Sequence, residues 1–266
     1  MNGPAGQTKN GGADRDRTDD LVIANDALSQ LSYGPIGLIC RKSAICVNIA
    51  GLVARSPCAR GPSGDLNPAK GLATNAPMKN PYFFGYGSLV NRRTHVYDRA
   101  HQAQVGGWRR VWTHTRLRPL AFLSALPDTP TTIAGLIAEV PGGDWAALDE
   151  REFAYDRLSA RDQVTHTLGG TPDIQIYSVA LDKHPQEARK HPILLSYLDV
   201  VLQGYLTEYG EAGAQAFIDT TDGWDTPVLD DRAEPLYPRH QLLGDDERGF
   251  VDDALKSVGA TILQPD

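Results

Sequence analysis

Cysteine is nearly missing from this chain. Cys40, Cys46 and Cys58 are its three copies, and all precede Met78. Beyond that point there is neither a cysteine nucleophile nor the material for a disulfide framework. The pattern fits a reducing compartment and predicts a cytoplasmic protein. Excess positive charge is missing too. Lys and Arg number 26 against 33 Asp and Glu, a net charge of −7, which argues against a broad electrostatic grip on nucleic acid. No apolar run approaches the roughly 20 residues needed to span a bilayer. The longest candidate, AICVNIAGLVA from Ala44, is too short, and it lies too deep in the chain for a signal-peptide core. The sequence therefore predicts no nucleic-acid or membrane partner.

Several catalytic signatures are also absent. A hydrolase nucleophile elbow reads G-x-S-x-G, with the serine between two glycines. Here Gly85, Gly87 and Ser88 stand in the wrong order, and no glycine follows the serine. Neither phosphate-loop pattern is present, since position 90 is Val and no lysine follows. The seven histidines never approach H-E-x-x-H or a tight His/carboxylate spacing. No metal and no cofactor are expected.

What remains divides at Met78. Residues 1–77 carry Gly-, Asn-, Asp- and Pro-rich stretches around short apolar pieces with no sustained period. Such a segment buries too little apolar surface to offset its chain entropy. The stretch DRDRTDDLVIANDALSQLSYGPI resembles a segment that recurs at the front of unrelated conceptual translations, which implies a start at Met78; a genuine disordered extension is the alternative. On either reading residues 1–77 are expected to carry no function. Residues 78–266 suit one domain and hold 18 Lys and Arg against 27 Asp and Glu.

Within that domain PYFFGYGSL reads as a short buried strand ending in a glycine turn. HQAQVGGWRRVWTHT reads as a strand or strand pair with a bulge at Gly106 and Gly107. LAFLSALPD predicts a strand that stops at Pro-Asp, and TTIAGLIAEVPGG a second one. DWAALDEREFAYDRL has the marks of a helix, with Asp144 as N-cap and Trp145, Leu148 and Glu152 along one stripe. VTHTL and IQIYSVAL look like an antiparallel pair around Gly169 and Gly170. From His191 the pattern turns helical, with Pro192 near the start and Gly210 at the end of one helix. AGAQAFIDTT and ERGFVDDALKSVG predict two shorter helices. Strands first and helices later imply an α+β domain, with a strand-rich core at about 81–185 and a helical part at about 190–266.

Two features invite chemistry. The backbone after Gly85 could converge into an anion-holding nest, although composition alone favours an ordinary strand-end turn. Glu152, on a partly apolar stripe, is costly there unless it is paired with Arg151 or Arg157 or tuned upward for proton transfer. Arg92 or Arg93 could meet a substrate carboxylate, with a solvated loop the stronger reading. Trp108, Trp112 and Trp145 read as core.

Together, Tyr86-Gly87-Ser88-Leu89 at a strand end and Leu148-Asp149-x-x-Glu152 after a glycine-containing strand, followed by Tyr155, resemble the gamma-glutamylcyclotransferase-like superfamily. That superfamily includes the ChaC-type and avirulence-induced-gene-like proteins. Tyr197 in LLSYLDVVLQGYLTEYG stands where the family has the tyrosine of a Ser-x-x-Tyr helix start, in a compressed spacing. The resemblance covers roughly Pro81 to Gly210. Phe153 replaces a glycine frequent in the family, and DTTDGWDTPVLDDRAEPLYPR has no placed counterpart. The resemblance implies a small mixed β-barrel flanked by helices, and cyclisation of a γ-glutamyl amide to 5-oxoproline without metal or nucleotide. It implies Glu152 as the proton-transfer residue, and Tyr86, Gly87, Ser88, Leu89, Tyr155 and Tyr197 as the substrate-binding set. A non-catalytic small-ligand-binding module and an acyl or amine transferase are the alternatives. The C-terminal WDTPVLDDR…YPR segment is expected either to line the pocket as a lid or to form a homodimer surface.

Overall fold

The structure, a computed structural model, describes residues 80–265. The readings of residues 1–77 lie outside the described residues.

A mixed sheet carries the domain. Strand β1 (Tyr82–Gly85) pairs antiparallel with β3 (Phe122–Glu139) and parallel with β6 (Ile174–Val179). All four β1 residues are buried, as a central strand covered on both faces requires. β3 also pairs along its length with β2 (Ala100–Thr113). β4 (Tyr155–Ser159) joins β6, β5 (Val164–His166) joins β2, and β8 (Thr221–Asp222) adds alongside β2. The strand path β4-β6-β1-β3-β2-β5 ends on β4 and β5. Among the described residues this is an α+β domain, as expected; its ladder is a mixed sheet with no closed barrel, where the resemblance implied a small mixed β-barrel flanked by helices. A small second sheet joins β7 (Ile193–Leu194), β9 (Val228–Leu229) and β10 (Ile262–Leu263).

The bulge at Gly106 and Gly107 is present. The register passes from Gly106↔Thr132 to Trp108↔Pro127, and Gly107 takes φ 81°, a left-handed conformation that favours glycine. The Pro-Asp turn expected at Pro127 is absorbed into this bulge, so the two expected strands are one, β3. The pair expected around Gly169 and Gly170 does not form; β5 and β6 pair with β2 and with β1 and β4 instead.

Helices cover the sheet. The helix expected from Asp144 is only α1 (Ala146–Arg151), and the chain re-enters the sheet at Tyr155. Asp144 Oδ1 still accepts from the Ala146 N–H at 3.1 Å. α2 (Leu195–Asp219) joins two of the expected helices across a break at Gly210, φ 67°. α3 (Asp245–Ser257) matches the last one. The buried faces of α2 and α3 share one apolar core with β1, β2, β3 and β6. Among the described residues no helix is long and apolar enough to cross a membrane.

Candidate active site

The strand-end loop is fixed from several sides. After β1 the chain turns through Gly87 into a 3-10 turn, Ser88–Val90. The Tyr86 side chain is buried, and its hydroxyl donates to the Tyr177 carbonyl at 2.6 Å. Its carbonyl accepts from Arg110 Nε at 3.1 Å and from the Tyr205 hydroxyl at 3.0 Å. Arg110 is only 1% exposed. Its other nitrogens meet Thr220, Tyr205 and the Ala134 carbonyl, and the guanidinium stacks on Tyr205 and Phe217. Burial pushes its pKa down, yet a guanidinium remains charged at neutral pH, so a fixed positive charge sits behind the loop. Asn91 ties the same loop to α2, donating to the Val200 carbonyl and to Gln203 Oε1, each at 3.0 Å. Leu89 packs against Gly85, and its carbonyl meets His95 Nε2 at 3.1 Å.

Glu152 faces this loop from the end of α1. It stands at the C-cap, φ −101° and ψ 35°, its N–H closing onto the Leu148 carbonyl. The helical stripe expected to carry it therefore ends one residue early, and the chain's departure toward β4 aims the side chain. That side chain is 17% exposed and pairs with Arg151 Nε at 3.1 Å. Arg151 in turn donates to Ser88 Oγ at 3.1 Å and to the Thr94 carbonyl at 3.0 Å. Burial raises the Glu152 pKa above the ordinary carboxylate value, and Arg151, Arg239 and Arg118 pull it back only in part. Arg157 instead donates from Nη1 to both carboxylate oxygens of Asp149 at 2.8 Å and stacks on Trp145.

Three tyrosines complete the centre. Tyr155 donates its hydroxyl to the Leu123 carbonyl at 3.0 Å. The Tyr197 ring meets Trp112 and Tyr237 edge-on, with the Ser88 backbone as a partner for its hydroxyl. Burial raises the pKa of Tyr86, Tyr155 and Tyr197 alike, so all three are neutral hydroxyls at ordinary pH.

Two adjoining cavities open here, partly enclosed and lined by both polar and apolar side chains. Ser88, Leu123, Glu152, Tyr155 and Tyr197 line both. Tyr86, Gly87 and Leu89 line the smaller one. All seven residues singled out in the sequence thus meet at one place. Arg92 does not; it pairs with Glu208 at 2.6 Å away from the cavities. Trp108 is core, and Trp112 is both 3% exposed and part of the larger cavity wall.

Arg118, Tyr237 and Arg239 also line the larger cavity and were not foreseen individually. No spacing ties them to the motifs; for Tyr237 and Arg239 the signal is the reading of the C-terminal segment as a lid or a dimer surface, and Arg118 lies outside that segment. Among the described residues no group of three or more His, Cys, Asp or Glu side chains is placed to hold a metal ion.

No protein-family model and no curated protein sequence match the chain. Among solved structures it is similar to YkqA from Bacillus subtilis, at 21% identity and TM-score 0.41 over 55% of this chain and 57% of that one. The match therefore spans a little over half of the Bacillus protein. A gamma-glutamyl cyclotransferase shares 10% identity at TM-score 0.44, over 65% of this chain and 99% of that one. A gamma-glutamyl cyclotransferase specific to glutathione, from yeast, shares 12% identity at TM-score 0.31, over 67% of this chain and 98% of that one.

Proposed function

We propose that this chain is an enzyme that cyclises a γ-glutamyl amide to 5-oxoproline and releases the amine. The observation that carries the reading is the meeting of Glu152 with the Tyr86–Leu89 loop around the smaller cavity. A desolvated carboxylate with a raised pKa suits proton transfer near neutral pH.

The smaller cavity takes the glutamyl end. Glu152 removes a proton from the substrate α-ammonium, and the freed amine attacks its own γ-carbonyl carbon. The carbonyl oxygen becomes an oxyanion, and the buried Arg110 charge behind the loop and the backbone N–H groups near Ser88 favour negative charge on that side. As the tetrahedral centre collapses, the bond to the leaving amine breaks, Glu152 returns its proton to that nitrogen, and the ring nitrogen's second proton follows to the freed amine, which departs as an ammonium. The ring closes without water. Holding the folded conformer supplies much of the acceleration, since near-attack positioning contributes about 7–11 kcal/mol at best.

The Arg151–Glu152 contact favours a second reading, a non-catalytic module that binds the same kind of ligand. Incubating the purified protein with a panel of γ-glutamyl compounds and quantifying 5-oxoproline separates the two. A cyclising enzyme yields stoichiometric 5-oxoproline and amine; a binding module yields neither.

A further inference from the structure

Three guanidinium groups act on the single carboxylate of Glu152. Arg151 is spent on Glu152, Ser88 and Thr94. Arg118 and Arg239 are not spent. Arg118 lies over the Phe122 ring at 4.0 Å, and its Nε, shut away from solvent, has no hydrogen-bond partner among the described residues. Arg239 leans on Tyr237, with the like charge of Arg151 nearby. Neither makes an ion pair with a described residue. A guanidinium taken out of water without an anion in direct contact is costly, and its planar fork matches a carboxylate.

Arg239 is delivered by a braced segment. Asp231 accepts from the Ser196 N–H at 2.8 Å, the Ser196 hydroxyl at 2.5 Å and the Leu236 N–H at 2.9 Å. The Tyr237 N–H returns to Ser196 Oγ at 3.2 Å, which seats the Tyr237 ring edge-on against Tyr197. Arg232 is bidentate to Asp199 and reaches Asp252 at 2.7 Å. Residues 231–239 are thereby stapled to α2 and α3 before any ligand arrives.

The next step rests on the proposed cyclisation. If the glutamyl end fills the smaller cavity beside the loop, the leaving amine projects past Glu152 into the larger one, where Arg118 and Arg239 stand. We propose that Arg118 and Arg239 are specificity-determining residues that select γ-glutamyl compounds whose amine portion carries a carboxylate. They select against compounds with a neutral or cationic amine portion. The carboxylate would also relieve the repulsion among the guanidinium groups.

The test compares γ-glutamylglycine with γ-glutamylethylamide, which differ in that carboxylate, in the wild type, Arg118→Gln, Arg239→Gln and Arg239→Lys. The wild type is expected to prefer γ-glutamylglycine by about tenfold or more in kcat/KM, chiefly through KM. The preference collapses in both Gln variants and is partly kept in Arg239→Lys, which retains the charge without the fork. Equal turnover of both compounds by the wild type, or a preference undiminished in the Gln variants, overturns the inference and leaves the cyclisation standing. If neither compound yields 5-oxoproline, the cyclisation falls, and calorimetric titration of the same two compounds decides the rest. Tighter binding of γ-glutamylglycine, lost in Arg239→Gln, sustains the anion site; equal binding overturns it.

Discussion

The Tyr197 hydroxyl lies 2.7 Å from the position a Cβ on Gly87 would occupy, with Leu123 Cδ2 at 3.3 Å. The tyrosine of α2 therefore sits on the loop's backbone in space that only glycine leaves open. Gly87→Val should abolish 5-oxoproline formation, and Gly87→Ala should cost about 1–3 kcal/mol of stability through overpacking. Tyr197→Phe in the Gly87→Ala background should restore part of that loss, as read from urea unfolding. Ser88→Ala removes only a hydroxyl held by Arg151 and should keep appreciable activity. A dead Ser88→Ala together with an acyl adduct on Ser88 would speak for a hydrolase instead.

His95 makes the loop acid-sensitive. Its Nδ1 accepts from the Tyr97 N–H at 3.2 Å while Nε2 meets the Leu89 carbonyl, a neutral tautomer used at both ends. Burial, then the Arg151 charge, lowers its pKa to about 4. A histidine lowered in the folded state binds fewer protons there than in the unfolded chain. The stability it contributes is therefore present above about 6.5, the ordinary histidine value, and is lost as pH falls toward 4. Melting temperatures between pH 7 and 4 should fall less steeply in His95→Gln than in the wild type. Parallel curves would contradict the assignment.

Arg110 should matter more for folding than its distance from the cavities suggests. Arg110→Lys keeps the charge but cannot reach Tyr86, Thr220, Ala134 and Tyr205 together. It should cost at least about 2 kcal/mol, since buried hydrogen bonds to a charged group are lost without replacement. Chemical denaturation measures this directly. A loss below about 0.5 kcal/mol, the range of an ordinary surface change, would contradict it.

How far the sequence discloses this site follows from where the information lies. The loop and Glu152 are local motifs, and the Gly106-Gly107 bulge is local chemistry, so all were legible. The helix expected from Asp144 ends at Arg151, although the sequence beyond remains permissive for helix. Pairing of Tyr155 with Val179 across β4 and β6 then overrides propensity. Pro127 and Asp128 looked like a stop because a wide bulge and a turn use the same residues. Arg118 and Arg239 have no mutual spacing to read. Their approach to Glu152 depends on the β2–β3 connection and on the Asp231–Ser196 brace, which exist only in the assembled fold.

The raised pKa of Glu152 has opposite consequences for stability and for turnover. A carboxyl raised in the folded state holds its proton more tightly there, so the stability tied to that proton is present at acid pH and lost as pH rises through the folded value. At pH 8 Glu152→Gln, which cannot ionise, should melt no lower than the wild type. The acid limb of kcat/KM should fall above the ordinary carboxylate range, because the base must be ionised to act.

The most direct measurement is 5-oxoproline released per enzyme by the wild type, Glu152→Gln and Glu150→Gln under one set of conditions. Glu150 is exposed and lines neither cavity, so it serves as the control two residues away. The expected loss in kcat for Glu152→Gln is roughly 10²- to 10⁴-fold, the usual share of general acid–base catalysis, with substrate still bound and Glu150→Gln close to wild type. An active Glu152→Gln, or equal losses in both variants, would make Glu152 a structural partner of Arg151 and contradict the account.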